Sequence, residues 1–267
     1  MKRFATVAGV KHTLDQLRRA KYKESMPAPS IADRIVYEDN HLIAVNKLPG
    51  ELAQGDKSGD PPLGDLVKEF IRQRDNKPGE VFLGIPHRLD RPTSGVLLMA
   101  KTSKALARMN TLFRDGAVEK RYWAVIDRLP EETEGEMHDW LRKDQKKNKS
   151  FVVKPDSPGA KEARLRYRLL SSGDRYHLLE ITIETGRHHQ IRTQLAARGI
   201  HVKGDLKYGA RRSNPDGGIS LHARMLAFEH PVGTERGRVV CVAPPPEENI
   251  WRALCSDLSL DEEDGRA

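Results

Sequence analysis

Cysteine and long hydrophobic runs are both scarce in this chain. Only two of the 267 residues are cysteine, Cys241 and Cys255, and their spacing fits neither a zinc site nor a disulfide framework. This usage is typical of a reducing compartment. No apolar run approaches the roughly 18 residues that a membrane-spanning helix needs, and residues 1–10 lack the apolar segment of a secretory signal. We therefore expect a cytoplasmic protein without a membrane partner.

Acidic residues are also fewer than basic residues. The chain has 46 Lys and Arg against 38 Asp and Glu, which gives a net charge of +8. An excess of positive charge favours an acidic partner, and nucleic acid is the commonest one. The apolar fraction of 37% is low, but long periodic segments exclude general disorder. A chain of this length forms one large domain or two small ones.

The sequence divides into three parts. Residues 1–30 carry seven cations and end in a loop with two prolines, so we interpret them as a basic arm that either touches RNA phosphates or keeps the protein soluble. Residues 31–258 hold the periodic segments and are predicted to form the single domain. Residues 259–267 form an acidic tail, which we expect to fray. We find no internal repeat and no sign of an obligate protein partner.

The first part of the domain is predicted to contain a hairpin and two helices. Residues 35–37 and 42–45 alternate as paired strands. Apolar residues from Leu63 to Ile71 follow the helical spacing, with Asp60 as a candidate cap. Thr102 or Ser103 is predicted to cap a second helix, which Gly116 ends. Two lysines at strand ends either neighbour the pocket or are solvated, and we expect the solvated role for both: Lys47 and Lys101.

The second part of the domain alternates strands with short helices. In the strand 120–126, period two places Tyr122 on one face and Trp123 on the other. A lysine-rich loop at 142–149 is either an RNA-backbone contact or a solvated hairpin tip. A further strand at 178–184 leads into a helix predicted at 188–198, whose first turn is rich in cations. Because a helix N-terminus attracts negative charge, this turn is a candidate anion site.

The most informative segment is His-Arg-Leu-Asp-Arg-Pro-Thr-Ser-Gly at 87–95, which runs into the apolar strand 96–100. Catalytic groups often lie on polar loops that a rigid strand positions. Asp90 stands between Arg88 and Arg91, and positive neighbours favour the charged carboxylate. An ionised aspartate there can serve as a nucleophile or a general base. The alternative is a turn aspartate that bonds to its own loop.

Two distant segments supply complementary chemistry. Tyr122 offers a ring on which a flat base can stack. Arg192 offers a cation that would hold Asp90 ionised, and its neighbour Ile191 belongs to the apolar side of the same helix. Metal binding is not expected, because the histidines lack the helical i, i+4 ligand spacing and no cysteine accompanies them. His189 and His222 are expected to make structural hydrogen bonds instead.

Five segments in this order resemble the pseudouridine synthases of the RluA type. HRLDRPTSG at 87–95 is similar to the family's catalytic segment, and KRYWA at 120–124 to its tyrosine strand. The other three are TGRHHQIR at 185–192, GDLKYG at 204–209, and LHA at 221–223 with FEHP at 228–231. The similarity extends from about residue 35 to residue 242. An S4-type RNA-binding domain often precedes this catalytic domain, and residues 1–30 are too short for one.

The resemblance implies a fold and a set of roles. The fold is α+β: a mixed, largely antiparallel sheet with flanking helices and a central cleft. Asp90 is similar to the family's catalytic aspartate, Tyr122 to its active-site tyrosine, and Arg192 to the basic residue that pairs with the aspartate. No metal, nucleotide or redox cofactor is implied. Six further residues are expected to contact the substrate: Arg88, Arg91, Arg187, His189, Ile191 and Leu221.

The implied reaction is the isomerisation of uridine in structured RNA, ribosomal or transfer, to pseudouridine. The aspartate either attacks the sugar C1′ or deprotonates the sugar toward a glycal. The uridine must leave the base stack, and we expect Arg88 or Arg91 to fill the gap. Two other functions are weighed against this one. A non-catalytic RNA-binding or ribosome-assembly module would not keep all three site residues, and a glycoside hydrolase would need paired carboxylates.

Overall fold

A computed structural model of the protein describes residues 29–55, 59–233 and 237–258. Most of the predicted basic arm and all of the acidic tail lie outside these ranges. Within them, no helix has the length and apolar character required to cross a bilayer. The description that follows concerns these residues.

Ten strands in the described residues form one sheet with the order β1-β2-β3-β9-β4-β8-β7-β5-β6, and β10 pairs with β9. Every pairing is antiparallel except the one between β3 and β9. The predicted mixed, largely antiparallel sheet is therefore confirmed. The strands are β1 (Ile35–Glu38), β2 (Leu42–Lys47), β3 (Ser94–Ala100), β4 (Glu119–Ile126), β5 (Glu134–Asp144), β6 (Lys149–Val153), β7 (Lys161–Ser172), β8 (His177–Ile183), β9 (Leu221–Glu229) and β10 (Arg238–Val242).

Four α-helices among the described residues cover the two faces of this sheet. They are α1 (Leu63–Arg74), α2 (Ser103–Arg114), α3 (Gln190–Ala197) and α4 (Asn249–Cys255). Successive residues of β2 and β3 pack alternately against α1 on one face and α2 on the other. Successive residues of β4 pack alternately against α3 and α4. Because both faces are covered, the central strands are buried on both sides, as the alternating side chains of a strand require.

Tyr122 marks the middle of one face. Its ring packs against the cluster around α1 and also against the cluster around α3. The two helices therefore lie on the same face, with the tyrosine between them. The predicted cleft lies at this junction. The alternation expected for 120–126 is confirmed, because Ala124 and Ile126 join Tyr122 while Trp123 and Val125 pack against α4.

The sheet divides beside this junction. β3 pairs with β9 only at Ser94 and Gly95, opposite His222 and Ala223, and β10 then pairs with β9 over residues 225–229. Gly95 has a φ of +111°, and a Cβ there would overlap the backbone of Ala223. Glycine is the residue that tolerates such a φ and so close a backbone approach. Because Asp90 lies only a few residues before this pairing, Gly95 fixes where its loop leaves the sheet.

Several local predictions are corrected by the structure. Asp60 does not cap α1; its carboxylate pairs with Arg91, and Pro62 stands at the cap position without a side-chain hydrogen bond. Thr102 does cap α2, since its side chain accepts from the Ala105 amide. The cation-rich helix starts at Gln190 instead of residue 188. The predicted cations before Gln190 therefore belong to a turn and not to a helical N-terminus.

The two lysines expected in solvent are also placed differently. Lys47 is fully buried, and Lys101 is mostly buried, with its ammonium paired to Glu38 at 2.7 Å. In β2 the period-two alternation places Lys47 on the same face as Ile43 and Val45, which explains its burial. The solvated interpretation was wrong for both residues.

We expect Gly95→Ala to destabilise the protein by about 2–6 kcal/mol, because a strained positive φ and an overpacked contact each cost about 1–3 kcal/mol. Gly116→Ala is the matched control: its φ is +74°, but no atom lies within 4 Å of a Cβ there. Urea denaturation of both variants measures the difference. Equal losses of unfolding free energy would contradict the packing argument at Gly95.

Candidate active site

The loop that carries Asp90 is held by backbone hydrogen bonds on several sides. Its own turn closes through Thr93, whose amide donates to the Asp90 carbonyl at 3.0 Å. The Gly50 amide donates to the Arg91 carbonyl at 2.8 Å, and the Ile219 amide to the Pro92 carbonyl at 3.0 Å. The loop's own turn and two other segments of the chain thus fix this loop. A side chain on it has a defined position before any substrate binds.

The Lys47 side chain also donates hydrogen bonds to this loop. Its Nζ donates to three carbonyl oxygens, those of Leu48 (3.0 Å), Arg91 (3.1 Å) and Thr93 (2.6 Å). A protonated ammonium has three donors, so each one has an acceptor. Burial lowers the pKa of Lys47 to about 8, partly offset by the negative charges of Glu51 and Asp90. Near neutral pH the ammonium remains protonated and connects β2 to the loop of Asp90.

Arg192 on α3 joins two carboxylates. Its Nη1 donates to Oδ2 of Asp90 at 2.9 Å. Its Nε and Nη2 donate to the two oxygens of Asp205, at 2.6 and 2.9 Å. Arg192 is 4% exposed and Asp205 is 1% exposed, whereas the Asp90 side chain is 23% exposed. Asp205 therefore holds the guanidinium in the interior, and the guanidinium donates a further hydrogen bond from Nη1 to Asp90.

The Arg192 guanidinium keeps its positive charge. Burial alone would lower the pKa of Arg192, but the hydrogen bonds and charges of Asp205 and Asp90 outweigh burial and raise it. The cation that contacts the Asp90 carboxylate is thus Arg192. The adjacent Arg88 and Arg91 do not pair with the Asp90 carboxylate, which corrects part of the sequence argument.

Tyr122 extends from β4 of the sheet toward Asp90. Burial, and then the negative charge of Asp90, raise the pKa of the Tyr122 phenol. The hydroxyl therefore keeps its proton throughout the physiological range. The ring is a neutral, partly apolar surface beside the carboxylate.

Two histidines close another side of the site in their neutral form. Burial lowers the pKa of His189 to about 3 and that of His188 to about 4. His189 Nε2 lies 3.5 Å from Asp90 Oδ2, but a neutral ring does not form an ion pair there. Its Nδ1 contacts the hydroxyl of Tyr208 at 3.0 Å, as expected of a structural histidine. The only cation in contact with Asp90, among the described residues, is Arg192.

A cavity of about 360 Å³ brings the predicted site residues together. Asp90, Tyr122 and Arg192 all line it, although they come from three distant parts of the sequence. Five of the six predicted substrate contacts line it as well: Arg88, Arg187, His189, Ile191 and Leu221. Arg187 does so with its Nε committed to the Glu162 carbonyl at 2.6 Å.

Arg91 is the exception. It lines an adjoining cavity of about 410 Å³ that shares Arg88, Asp90 and Arg192 with the first. Its guanidinium donates to the Gly50 carbonyl and pairs with Asp60. Arg88 is exposed, and within the described ranges its guanidinium has no hydrogen bond or ion pair. Of the two arginines, Arg88 is therefore the one free to move toward a ligand.

A comparison with known families matches the RNA pseudouridylate synthase family over residues 41–197. The chain belongs to this family. An RNA pseudouridine synthase of Bacillus subtilis, itself uncharacterised, is 32% identical over 217 residues, which are 80% of this chain and 69% of the relative. Ribosomal large subunit pseudouridine synthase D of Zymomonas mobilis is 30% identical over 236 residues, 82% of this chain and 72% of that one. The predicted resemblance to RluA-type synthases is confirmed.

A solved structure supports the fold of this pseudouridine synthase. Human RNA pseudouridylate synthase domain containing 1 superposes with a TM-score of 0.67 at 24% identity, covering 91% of this chain and 98% of that one. At this level of identity the similarity concerns the fold. Together with the family match it confirms the predicted α+β architecture with flanking helices.

Two residues of the site escaped the sequence analysis. Asp205 lies in the quoted GDLKYG segment, but no role was assigned to it. Its signal was indirect: a buried arginine needs a buried acceptor, and Asp205 lies in a motif shared with the family. Lys47 was detectable from the strand alternation described above. Both residues support the site without lining the first cavity.

The histidines that the structure describes are not grouped as metal ligands. Among residues 29–55, 59–233 and 237–258, no group of three or more His, Cys, Asp or Glu side chains could hold a metal ion. His222 is buried, and its Nδ1 lies 2.8 Å from the Ser94 hydroxyl. This contact ties β9 to the start of β3 and confirms a structural role.

Lys47→Met should lower both stability and turnover. The change leaves buried carbonyls without a donor, and each such group costs about 1–3 kcal/mol. Lys101→Met is the comparison, since that lysine pairs with Glu38 and one carbonyl away from the Asp90 loop. Thermal unfolding and kcat are measured for both variants. A Lys47→Met protein that keeps wild-type kcat would show that the ammonium does not position the loop.

Proposed function

We propose that this RNA pseudouridine synthase modifies uridine in the ribosomal RNA of the large subunit, with Asp90 as its catalytic carboxylate. The observation that supports the catalytic assignment is the shared cavity of Asp90, Tyr122 and Arg192. The substrate assignment rests on relatives named for the large ribosomal subunit, among them the Zymomonas mobilis protein. The excess of positive charge suits an RNA substrate.

The arrangement around Asp90 leaves one oxygen for chemistry. Oδ2 accepts from Arg192, whereas Oδ1 has no hydrogen bond with any residue that the structure describes. The carboxylate is partly exposed at the wall of the cavity. Oδ1 is thus available either to bond to C1′ of the ribose or to remove a sugar proton. Both routes use the same ionised oxygen.

The overall reaction conserves the atoms of the nucleoside. The bond between N1 and C1′ breaks, the uracil turns, and a bond between C5 and C1′ forms while the proton on C5 is released and N1 takes up a proton. No oxidant or reductant is consumed. The neutral Tyr122 ring offers a face on which the uracil can stack, and Ile191 and Leu221 line the same cavity with apolar surface.

Asp90→Asn should abolish the activity. The amide is neutral and is neither a nucleophile nor a base of comparable strength, so we expect a loss of at least about 100-fold, the low end for a missing general acid–base group. Tritium release from RNA labelled at C5 of uridine, prepared from a strain that lacks the gene, measures it. RNA binding and unfolding temperature are measured on the same sample to show that the variant is folded.

The same assay separates the competing functions. RNA binding without tritium release by the wild-type protein would indicate a binding or ribosome-assembly module. Release of free uracil would indicate a hydrolase. Mapping pseudouridine in ribosomal and transfer RNA, with and without the protein, identifies the substrate. Modification confined to transfer RNA would contradict the large-subunit assignment.

We also propose that Arg88 occupies the space that the target base vacates. Chemistry on the glycosidic bond requires the nucleotide to leave the stack. Arg88 borders both cavities beside Asp90, is exposed, and is unpaired among the described residues. A guanidinium plane can stack on neighbouring bases and contact phosphates. Arg91 is held by Asp60 and Gly50 and is a poorer candidate.

Arg88→Ala should therefore slow modification of base-paired RNA much more than modification of an unpaired strand. Unstacking and unpairing cost a few kcal/mol in a duplex and less in an unstructured RNA. Single-turnover rates on a hairpin and on an unstructured RNA of the same target sequence test this. Arg91→Ala removes an equal charge from the same loop and serves as the comparison. Equal losses on the two RNAs would exclude a role in base extrusion.

A further inference from the structure

A third cavity lies apart from Asp90, at the end of β4, and has a volume of about 240 Å³. We call it the basic cavity, because five cationic side chains line it: Arg128, Arg175, Lys203, Arg211 and Arg212. None of these residues was assigned a role from the sequence. None of them lines the cavities that contain Asp90.

Most of this charge is not neutralised within the protein. Across the described ranges, the guanidinium groups of Arg128, Arg175, Arg211 and Arg212 make no ion pair with a carboxylate, and all four residues are exposed. Lys203 differs, since its Nζ contacts Asn214 at 2.7 Å and Glu248 at 3.5 Å. Four like charges around one concave surface repel one another unless an anion lies between them.

One acidic residue also lines the cavity, and the five cations leave an excess of positive charge there. Asp127 uses one oxygen to accept from the His201 amide at 2.8 Å, and the other lies 3.0 Å from the His201 Nδ1. Both oxygens of Asp127 are therefore committed to His201. Gly209 packs against that ring with a φ of +110°, so close that a Cβ would lie 2.7 Å from its atoms. These contacts give the cavity a defined floor.

The rim also offers a flat surface. The Arg175 guanidinium lies 5.6 Å from the centre of the Tyr176 ring, and both residues line the cavity. Tyr176 is half-buried and packs against the cluster around α4. Arginine planes and aromatic rings beside basic charge are the features on which unpaired bases of RNA stack. An acidic protein surface would not need this platform.

The basic cavity lies close to the active site along the chain. Lys207 lines the larger cavity beside Asp90, and Gly209 lines the basic cavity. Two residues span at most about 7 Å between their Cα atoms. The two sites are therefore joined by the short segment 207–209, which is close enough for one RNA molecule to contact both.

We propose that the basic cavity binds the ribose-phosphate backbone of the RNA substrate at nucleotides outside the target uridine. This inference rests on the proposed function, because it assumes that RNA is the ligand at Asp90. The cavity contributes affinity and register and takes no part in the chemistry. Its arginines are binding residues, so their loss affects capture of the RNA and not the isomerisation step.

The test compares two double variants that each remove two positive charges. Arg211→Gln with Arg212→Gln alters the basic cavity. Lys104→Gln with Arg114→Gln alters exposed residues of α2, outside every cavity described above. Filter binding to an in vitro transcript of large-subunit ribosomal RNA is measured over a range of KCl concentrations, with kcat and KM from tritium release.

We expect the dependence of log K on log salt to become shallower by about 2 for the cavity variant, close to 1 for each lost phosphate contact, while the α2 variant keeps the wild-type slope. The cavity variant should raise KM and keep kcat. Equal slopes and equal KM in the two variants would overturn the proposal. Failure of the wild type to form pseudouridine would overturn the proposed substrate. The salt slopes are measured from RNA binding alone, so they do not depend on that result.

Discussion

One buried guanidinium organises the site. Arg192 binds Asp205 through two parallel hydrogen bonds and Asp90 through one. Removing one partner of a buried charge pair costs about 3–5 kcal/mol, because the other charge is left uncompensated. Loss of Arg192 would therefore expose Asp205 to that penalty as well as disturb Asp90. For this reason Asp90, partly exposed at the cavity wall, is the residue whose replacement reports most directly on the chemistry.

The sheet supplies the geometry in which this guanidinium acts. α1 and α3 cover the same face but leave Tyr122 between their clusters. The pairing of β3 with β9 is only two residues long, so the Asp90 loop turns over the sheet at that junction. Lys47 and the backbone bonds to Gly50 and Ile219 then hold the loop in place. The cleft follows from where the helices end and the strands diverge.

Much of this could be predicted from the sequence, and the exceptions have physical causes. Periodicity identified α1, α2 and the two faces of β4, because side-chain spacing alone determines which face is buried. The partner of Asp90 was identified through the family resemblance, since 102 residues separate it from Arg192. Arg88 and Arg91 lie close to Asp90 in the sequence, which suggested that they pair with its carboxylate. That prediction was wrong. Neighbours in sequence on a tight turn point in different directions, and only the fold decides which cation approaches a carboxylate.

The unequal sharing of Arg192 has a chemical consequence. A bidentate pair between Arg192 and Asp90 would occupy both carboxylate oxygens and hold the charge too firmly for reaction. Asp205 takes the bidentate position instead, so Asp90 receives a single bond on Oδ2. That bond fixes the orientation of the carboxylate, while Oδ1 retains its capacity to react. In the proposed reaction the interior carboxylate of Asp205 thus serves Asp90 by occupying most of the guanidinium, and this explains why a second acid, buried behind Arg192, belongs to the site.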